Sequence, residues 1–167
     1  MKKFFIYLFC MAMVAFSGIN AVTAQTEDKA TNTRIVNEKN YIFVAQQALP
    51  MRGGTRLLTP EFDFVVTPDT LIAFLPYFGR AFQAPINPME GGIKFTSTKF
   101  DYDTKGKTKK GKWTINIDPK DVNGISSMRL EIFDNGQATL NVSQTHKDPI
   151  SFSGYIVEGK ERNKKAF

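Results

Sequence analysis

From Tyr41 onward, apolar side chains recur at every second position in short stretches, with polar residues filling the places between them. These stretches are rich in Phe, Ile, Val, Thr and Tyr and are separated by clusters of Gly, Pro, Asn and Asp. A period of two is the mark of strands, and no stripe of helical spacing is long enough to compete with it. Eight strands are predicted: Tyr41–Ala48, Glu61–Thr67, Thr70–Pro76, Ile93–Asp103, Lys109–Asp118, Met128–Phe133, Gln137–Ser143 and Ile150–Val157. Residues 25–40 are polar apart from Ile35 and Val36 and read as a flexible or short helical leader. The single β domain spans residues 41–157, and residues 158–167 form a charged tail expected to fray.

Two connections can be predicted to the register. Between Met128 and Ser143, a two-residue Asn135-Gly136 turn would set Leu130 opposite Asn141 and Ile132 opposite Thr139. A three-residue loop, Asp134-Asn135-Gly136, instead pairs Ile132 with Ala138, Leu130 with Leu140 and Met128 with Val142. Burial of one face selects the second register, with Gly136 in the left-handed region. Between Glu61 and Pro76, Thr67-Pro68-Asp69-Thr70 suits a type I turn, pairing Val66 with Leu71, Phe64 with Ala73 and Phe62 with Leu75. That hairpin is also apolar on its other face, at Val65, Ile72 and Phe74, so it needs cover from the leader helix, the following loop or a partner chain.

The fourth strand changes phase, because Ile93 and Phe95 are odd-numbered whereas Phe100 and Tyr102 are even-numbered. A bulge near Thr98-Lys99 would reconcile the halves. In the fifth, Trp113, Ile115 and Ile117 face inward. Eight strands in hairpin order, within about 115 residues, predict an all-β fold: a small antiparallel meander barrel with a short N-terminal helix. A two-sheet β-sandwich is the alternative, since strand count alone does not decide closure.

The N-terminus changes the picture of where the chain works. Met1-Lys2-Lys3 is followed by an apolar run of about thirteen residues, Phe4 to Phe16, and by small residues at Val22 and Ala24. This is the pattern of a signal peptide over residues 1–24, cleaved between Ala24 and Gln25. The run is too short to cross a bilayer, so no transmembrane segment is expected in the mature chain. Cys10 follows Phe9 and has too short an apolar run before it for lipidation, which predicts an exported, periplasmic or secreted protein without a lipid anchor. Cleavage removes the only cysteine, excluding disulfides and thiolate chemistry, and lowers the net charge from +6 to +4.

One local sequence is specific enough to support a resemblance. Leu75-Pro76-Tyr77-Phe78-Gly79-Arg80-Ala81-Phe82-Gln83-Ala84-Pro85, followed by Gly91-Gly92-Ile93-Lys94-Phe95, resembles the exported Bacteroidetes proteins grouped as domain of unknown function 4251. Ala48-Leu49-Pro50 with Gly53-Gly54, Asn135-Gly136-Gln137-Ala138 and Ile150-Ser151-Phe152-Ser153-Gly154-Tyr155 fit the same family. The resemblance implies a β-barrel-like domain, similar in outline to lipocalins, at the periplasm or cell surface. It implies no reaction and no ligand.

Candidate chemistry is sparse. His146 is the only histidine and lies in a polar connection, as a solvated loop residue would. No G-x-S-x-G elbow accompanies it, and neither catalytic residues, a metal site nor a cofactor is expected. Acidic pairs among Glu61, Asp63, Asp101 and Glu131 leave a glycan-acting hydrolase as the remote enzymatic reading. Lys105, Lys107, Lys109, Lys110 and Lys112 crowd one hairpin tip, with Lys99 nearby, and could engage anionic glycan or lipid. The alternative is that they keep an exposed tip soluble and guard it against edge pairing. The tip has no interleaved aromatics for stacking bases, and nucleic acid is not expected as a partner after export. In LPYFGRAF, Tyr77 and Arg80 could bind a carboxylate or phosphate, or the segment could plug one barrel end, with Arg80 satisfying carbonyls or Asp63.

The leading expectation is therefore a non-enzymatic exported binding or scaffold domain of the cell envelope. Tyr77, Arg80, Trp113, Lys107 and Lys109 are its candidate binding residues. The partner is a small apolar ligand if the barrel is open, or an envelope component if its interior is filled.

Overall fold

The computed structural model of the chain describes residues 29–82, 91–109 and 111–159. A helix, α1 (29–37), precedes ten strands: β1 (Tyr41–Pro50), β2 (Arg56–Leu57), β3 (Asp63–Val66), β4 (Leu71–Pro76), β5 (Gly92–Ser97), β6 (Phe100–Lys107), β7 (Lys112–Pro119), β8 (Ile125–Phe133), β9 (Gln137–Gln144) and β10 (Ile150–Glu158). Neighbours follow the order β5-β4-β3-β1-β10-β9-β8-β7-β6, all antiparallel, with β2 added beside β1.

The two ends of that order belong to one path. Only Thr98 and Lys99 separate β5 from β6, and the chain bends at both. β5 pairs with β4 and β6 with β7, so the bent path joins the two margins of the sheet. The result is a nearly closed barrel. The predicted eight strands become ten because the phase change is a corner rather than a bulge within one strand, and because β2 is added. The corner has a physical cause: the Asp121 carboxylate accepts the backbone N–H groups of Thr98 and Lys99, at 2.9 and 3.2 Å, which then have no ladder to join.

The predicted β8–β9 register is found, and so are two of the three pairs predicted between β3 and β4; the third, Phe62 with Leu75, is absent because β3 begins only at Asp63. Ile132, Leu130 and Met128 face Ala138, Leu140 and Val142. Gly136 has φ +80°, the conformation the three-residue loop requires. Gly136→Val should cost about 2 kcal/mol from strain in the left-handed region, read as a lowered midpoint in urea denaturation. Phe64 and Val66 likewise face Ala73 and Leu71. In that hairpin Thr70 N–H donates to the Thr67 hydroxyl at 2.9 Å, so a side-chain oxygen closes the turn.

The alternating inward residues of all the long strands but β6 form one core. It includes Phe43, Phe64, Leu75, Ile93, Trp113, Ile115, Leu130, Leu140 and Phe152, each at most 2% exposed. Burying a side chain of this size stabilises by about 1.5–3 kcal/mol, so the inward alternation is the main reason the ring closes. The leader is helical over 29–37, and Ile35 and Val36 enter the core at the end where β1 begins. Asn32 fixes α1 by donating to the Asp134 carbonyl at 3.1 Å. The leader helix therefore closes a barrel end and does not cover the outer face of β3 and β4. Part of that cover comes from the preceding loop, where Phe62 stacks on Phe74 with ring centroids 5.6 Å apart. Glu158 lies within β10 and pairs with Arg34 at 3.1 Å, so the frayed tail cannot start at residue 158.

Candidate functional site

The segment after β4 lies across the opposite barrel end. Ala81 forms an antiparallel bridge to Lys147, Phe82 N–H donates to the His146 carbonyl at 2.8 Å, and Asp148 N–H donates to the Arg80 carbonyl at 3.0 Å. The Tyr77 hydroxyl is 2.9 Å from the Arg80 carbonyl and 3.0 Å from the Asp148 carbonyl, tying the segment to the β9–β10 loop. Burial raises the Tyr77 pKa, and the nearby Asp148 charge adds to the effect. Gly79 makes this fold-back feasible, because a Cβ there would stand 2.7 Å from the Tyr77 ring. Lys147 lies 5.0 Å from the centroid of that ring, and the Arg56 guanidinium 4.8 Å from that of Phe78. Tyr77 is thus a plug residue. Arg80 contributes its carbonyl to the plug, while its side chain is exposed.

The lysine tip is weaker than its count suggests. The Lys107 ammonium stands 2.6 Å from Asp134 Oδ1 and 4.8 Å from the centroid of Trp113, its cross-strand partner. Lys112 pairs with Glu131 at 3.1 Å. Two of the tip's cations are thus matched by acids from β8 and the loop that follows it, leaving Lys105 and Lys109 exposed. Trp113 is only 2% exposed, so it is a core residue. Lys110, Ala24 and Gln25 lie outside the described residues. His146 is exposed, and among the described residues no group of three or more His, Cys, Asp or Glu could hold a metal ion. No described helix is long and apolar enough to cross a membrane.

Asp121 has a role its sequence neighbourhood did not announce. Besides the two backbone N–H groups it accepts the Ser97 hydroxyl, and these bonds, Ser97 first, lower its pKa from 3.8 to about 2. A carboxylate depressed in the folded state stabilises above its unfolded pKa and loses that effect as pH falls toward the folded value. Asp121→Asn should therefore lower the melting temperature at pH 7. The gap to the parent should shrink below about pH 4 and be nearly gone at about pH 2. Melting curves across that range check this, and a gap independent of pH would contradict it.

On the outer wall, β1 carries a bulge. Ala45 faces Gly154 and Gln47 faces Ser153, so Gln46 is the extra residue. Ala45 and Ala48 both point inward, at 1% and 0% exposure, which leaves Gln46 and Gln47 side by side on the outside. The chain from β2 to β3 straps over this place: Leu58 N–H donates to the Gln46 carbonyl at 2.8 Å, and Ala45 N–H to the Phe62 carbonyl at 2.9 Å. Between the bulge, the strap and Tyr155 lies a cavity of about 330 Å³. Sequence reading missed the glutamines because a bulge interrupts the alternation it relies on. Gly154-Tyr155 was the one visible signal.

A nearly closed, filled, antiparallel meander barrel with helix and plug at its ends defines the structural class. The family described as "Domain of unknown function (DUF4251)" matches residues 23–156, and the chain belongs to it. The crystal structure of a DUF4251 family protein from Bacteroides eggerthii DSM 20697 is similar, with a TM-score of 0.59 and 16% identity, covering 81% of this chain and 91% of that one. At that identity the likeness shows the fold alone. No curated protein matches.

Proposed function

We propose that the chain is an exported, non-enzymatic binding or scaffold domain of the bacterial cell envelope that works through its outer surface. The observation that supports this most is the filled interior: the inward side chains meet in one core, α1 enters one end and the 77–82 segment crosses the other. A barrel built to carry a small apolar molecule would keep that volume open. The leader of residues 1–24, with its lysine pair and small-residue exit, supports export. Native mass spectrometry of the protein isolated from its own envelope tests the reading. It should find a macromolecular or polar partner, whereas a stoichiometric small apolar molecule would overturn it.

The reading in which the hairpin tip engages anionic glycan or lipid narrows, among the described residues, to Lys105 and Lys109, the tip lysines that are exposed and form no ion pair. It predicts salt-sensitive binding to anionic vesicles that the double change to Gln abolishes.

A further inference from the structure

We infer that the cavity between the β1 bulge, the strap and Tyr155 is a binding site for a neutral carbohydrate. This rests on the reading above, that the domain binds through its outside, and names the ligand class at one place on it.

Residues of the β1 bulge, the strap and β10 line the cavity. None of its residues is charged. Its polar groups are the two amides of Gln46 and Gln47 and the phenol of Tyr155, none of which makes a side-chain hydrogen bond to another described residue. Each amide offers two donors and an acceptor, and the phenol one donor and an acceptor. Its apolar groups are the Tyr155 ring, 36% exposed, with Val44, Leu57 and Pro60 around it. An anionic ligand would find no cation here, and a purely apolar one would strand the amides without partners. A sugar ring meets both demands. Its hydroxyls give and take hydrogen bonds in adjacent pairs, and its C–H face suits the electron-rich face of an aromatic ring. A volume of about 330 Å³ is at the small end of ligand sites, roughly one or two sugar units.

The backbone is shaped for this arrangement. In an unbroken strand only one of two neighbouring glutamines would face outward. The bulge presents both, and Gly154, opposite it, has no Cβ to obstruct the carbonyl of Val44. Leu57, at 82% exposure, stands on a two-residue strand held against β1 at Gln47 and Ala48. Exposing a leucine to this degree beside two free amides has no packing benefit to the monomer, whereas it would cover a sugar seated on Tyr155.

The test is calorimetric titration of the mature protein with neutral hexasaccharides of glucose, mannose and galactose, together with a leucine-rich neutral peptide. At least one hexasaccharide should bind, with an affinity unchanged between low and high salt. Tyr155→Ala should weaken it by about tenfold or more, as should the double change Gln46→Ala and Gln47→Ala, while Tyr155→Phe keeps most of it. These side chains are on the outer wall, and unchanged melting temperatures verify that the variants remain folded. Absence of binding to all three sugars, retention of binding in Tyr155→Ala, or capture of the peptide instead would each overturn the proposal. If sugars fail while native mass spectrometry still finds a partner, the broader reading stands and only this site is lost.

Discussion

Gly154→Ala should destabilise the protein by about 3 kcal/mol, the upper end of what a single added methyl group costs in a tightly packed place. Gly154 is buried on β10 opposite Ala45, and an added Cβ would fall far inside van der Waals contact of the Val44 carbonyl. The obstacle is backbone held in two ladders, with β3 and β10, and it cannot rotate aside as a side chain would. Either β1 loses its bulge, or the ladder that joins the first strand to the last opens. Gly54→Ala is the matched control, since nothing lies within 4 Å of a Cβ there, and it should change stability by no more than about 0.5 kcal/mol. Urea denaturation followed through Trp113 fluorescence compares the two. Equal midpoints would refute the close approach.

The second large effect is expected at Trp113, where alanine should cost about 3–5 kcal/mol. The indole is buried and lies opposite Ile132 on β8 and Lys107 on β6. Removing it leaves a void that neighbouring strands, held by their ladders, can fill only in part. It also removes the surface under the Lys107 ammonium, which now spans the ring and Asp134. Lys107→Met keeps the stem and deletes only the charge, so it should cost no more than about 1 kcal/mol. Because Trp113 is the sole tryptophan, circular dichroism must follow this variant. A loss below about 1 kcal/mol would mean that Trp113 is not the core residue described.

What the sequence made legible is what local periodicity and turn chemistry control. Gly136 and the alternation around it determined the β8–β9 register. The paired apolar positions of Phe64, Val66, Leu71 and Ala73 did the same for β3 and β4. The odd-to-even switch between Phe95 and Phe100 placed an irregularity near Thr98-Lys99, but as a bulge within one strand where the structure has a corner between two. It could not show that a carboxylate more than twenty positions away would hold it, because Asp121 meets Thr98 only in the folded chain. The same blindness to distant partners inflated the lysine tip: Asp134 and Glu131 balance it from another hairpin. β2 was invisible because two residues cannot display a period. The glutamine pair escaped because a bulge has no signature of its own in a single sequence.

The pairing of β1 with β10 has a temporal meaning. Tyr41 waits for Glu158, which lies 117 positions further along the chain. A polypeptide delivered N-terminus first must therefore keep one margin of its opening strand unsatisfied until almost everything else has arrived. Contacts of such long sequence separation form slowly and leave sticky backbone on show meanwhile. Nascent molecules should thus depend on a holding chaperone more than their modest size suggests, and a chain truncated before Ile150 should aggregate rather than fold to a shorter version of itself.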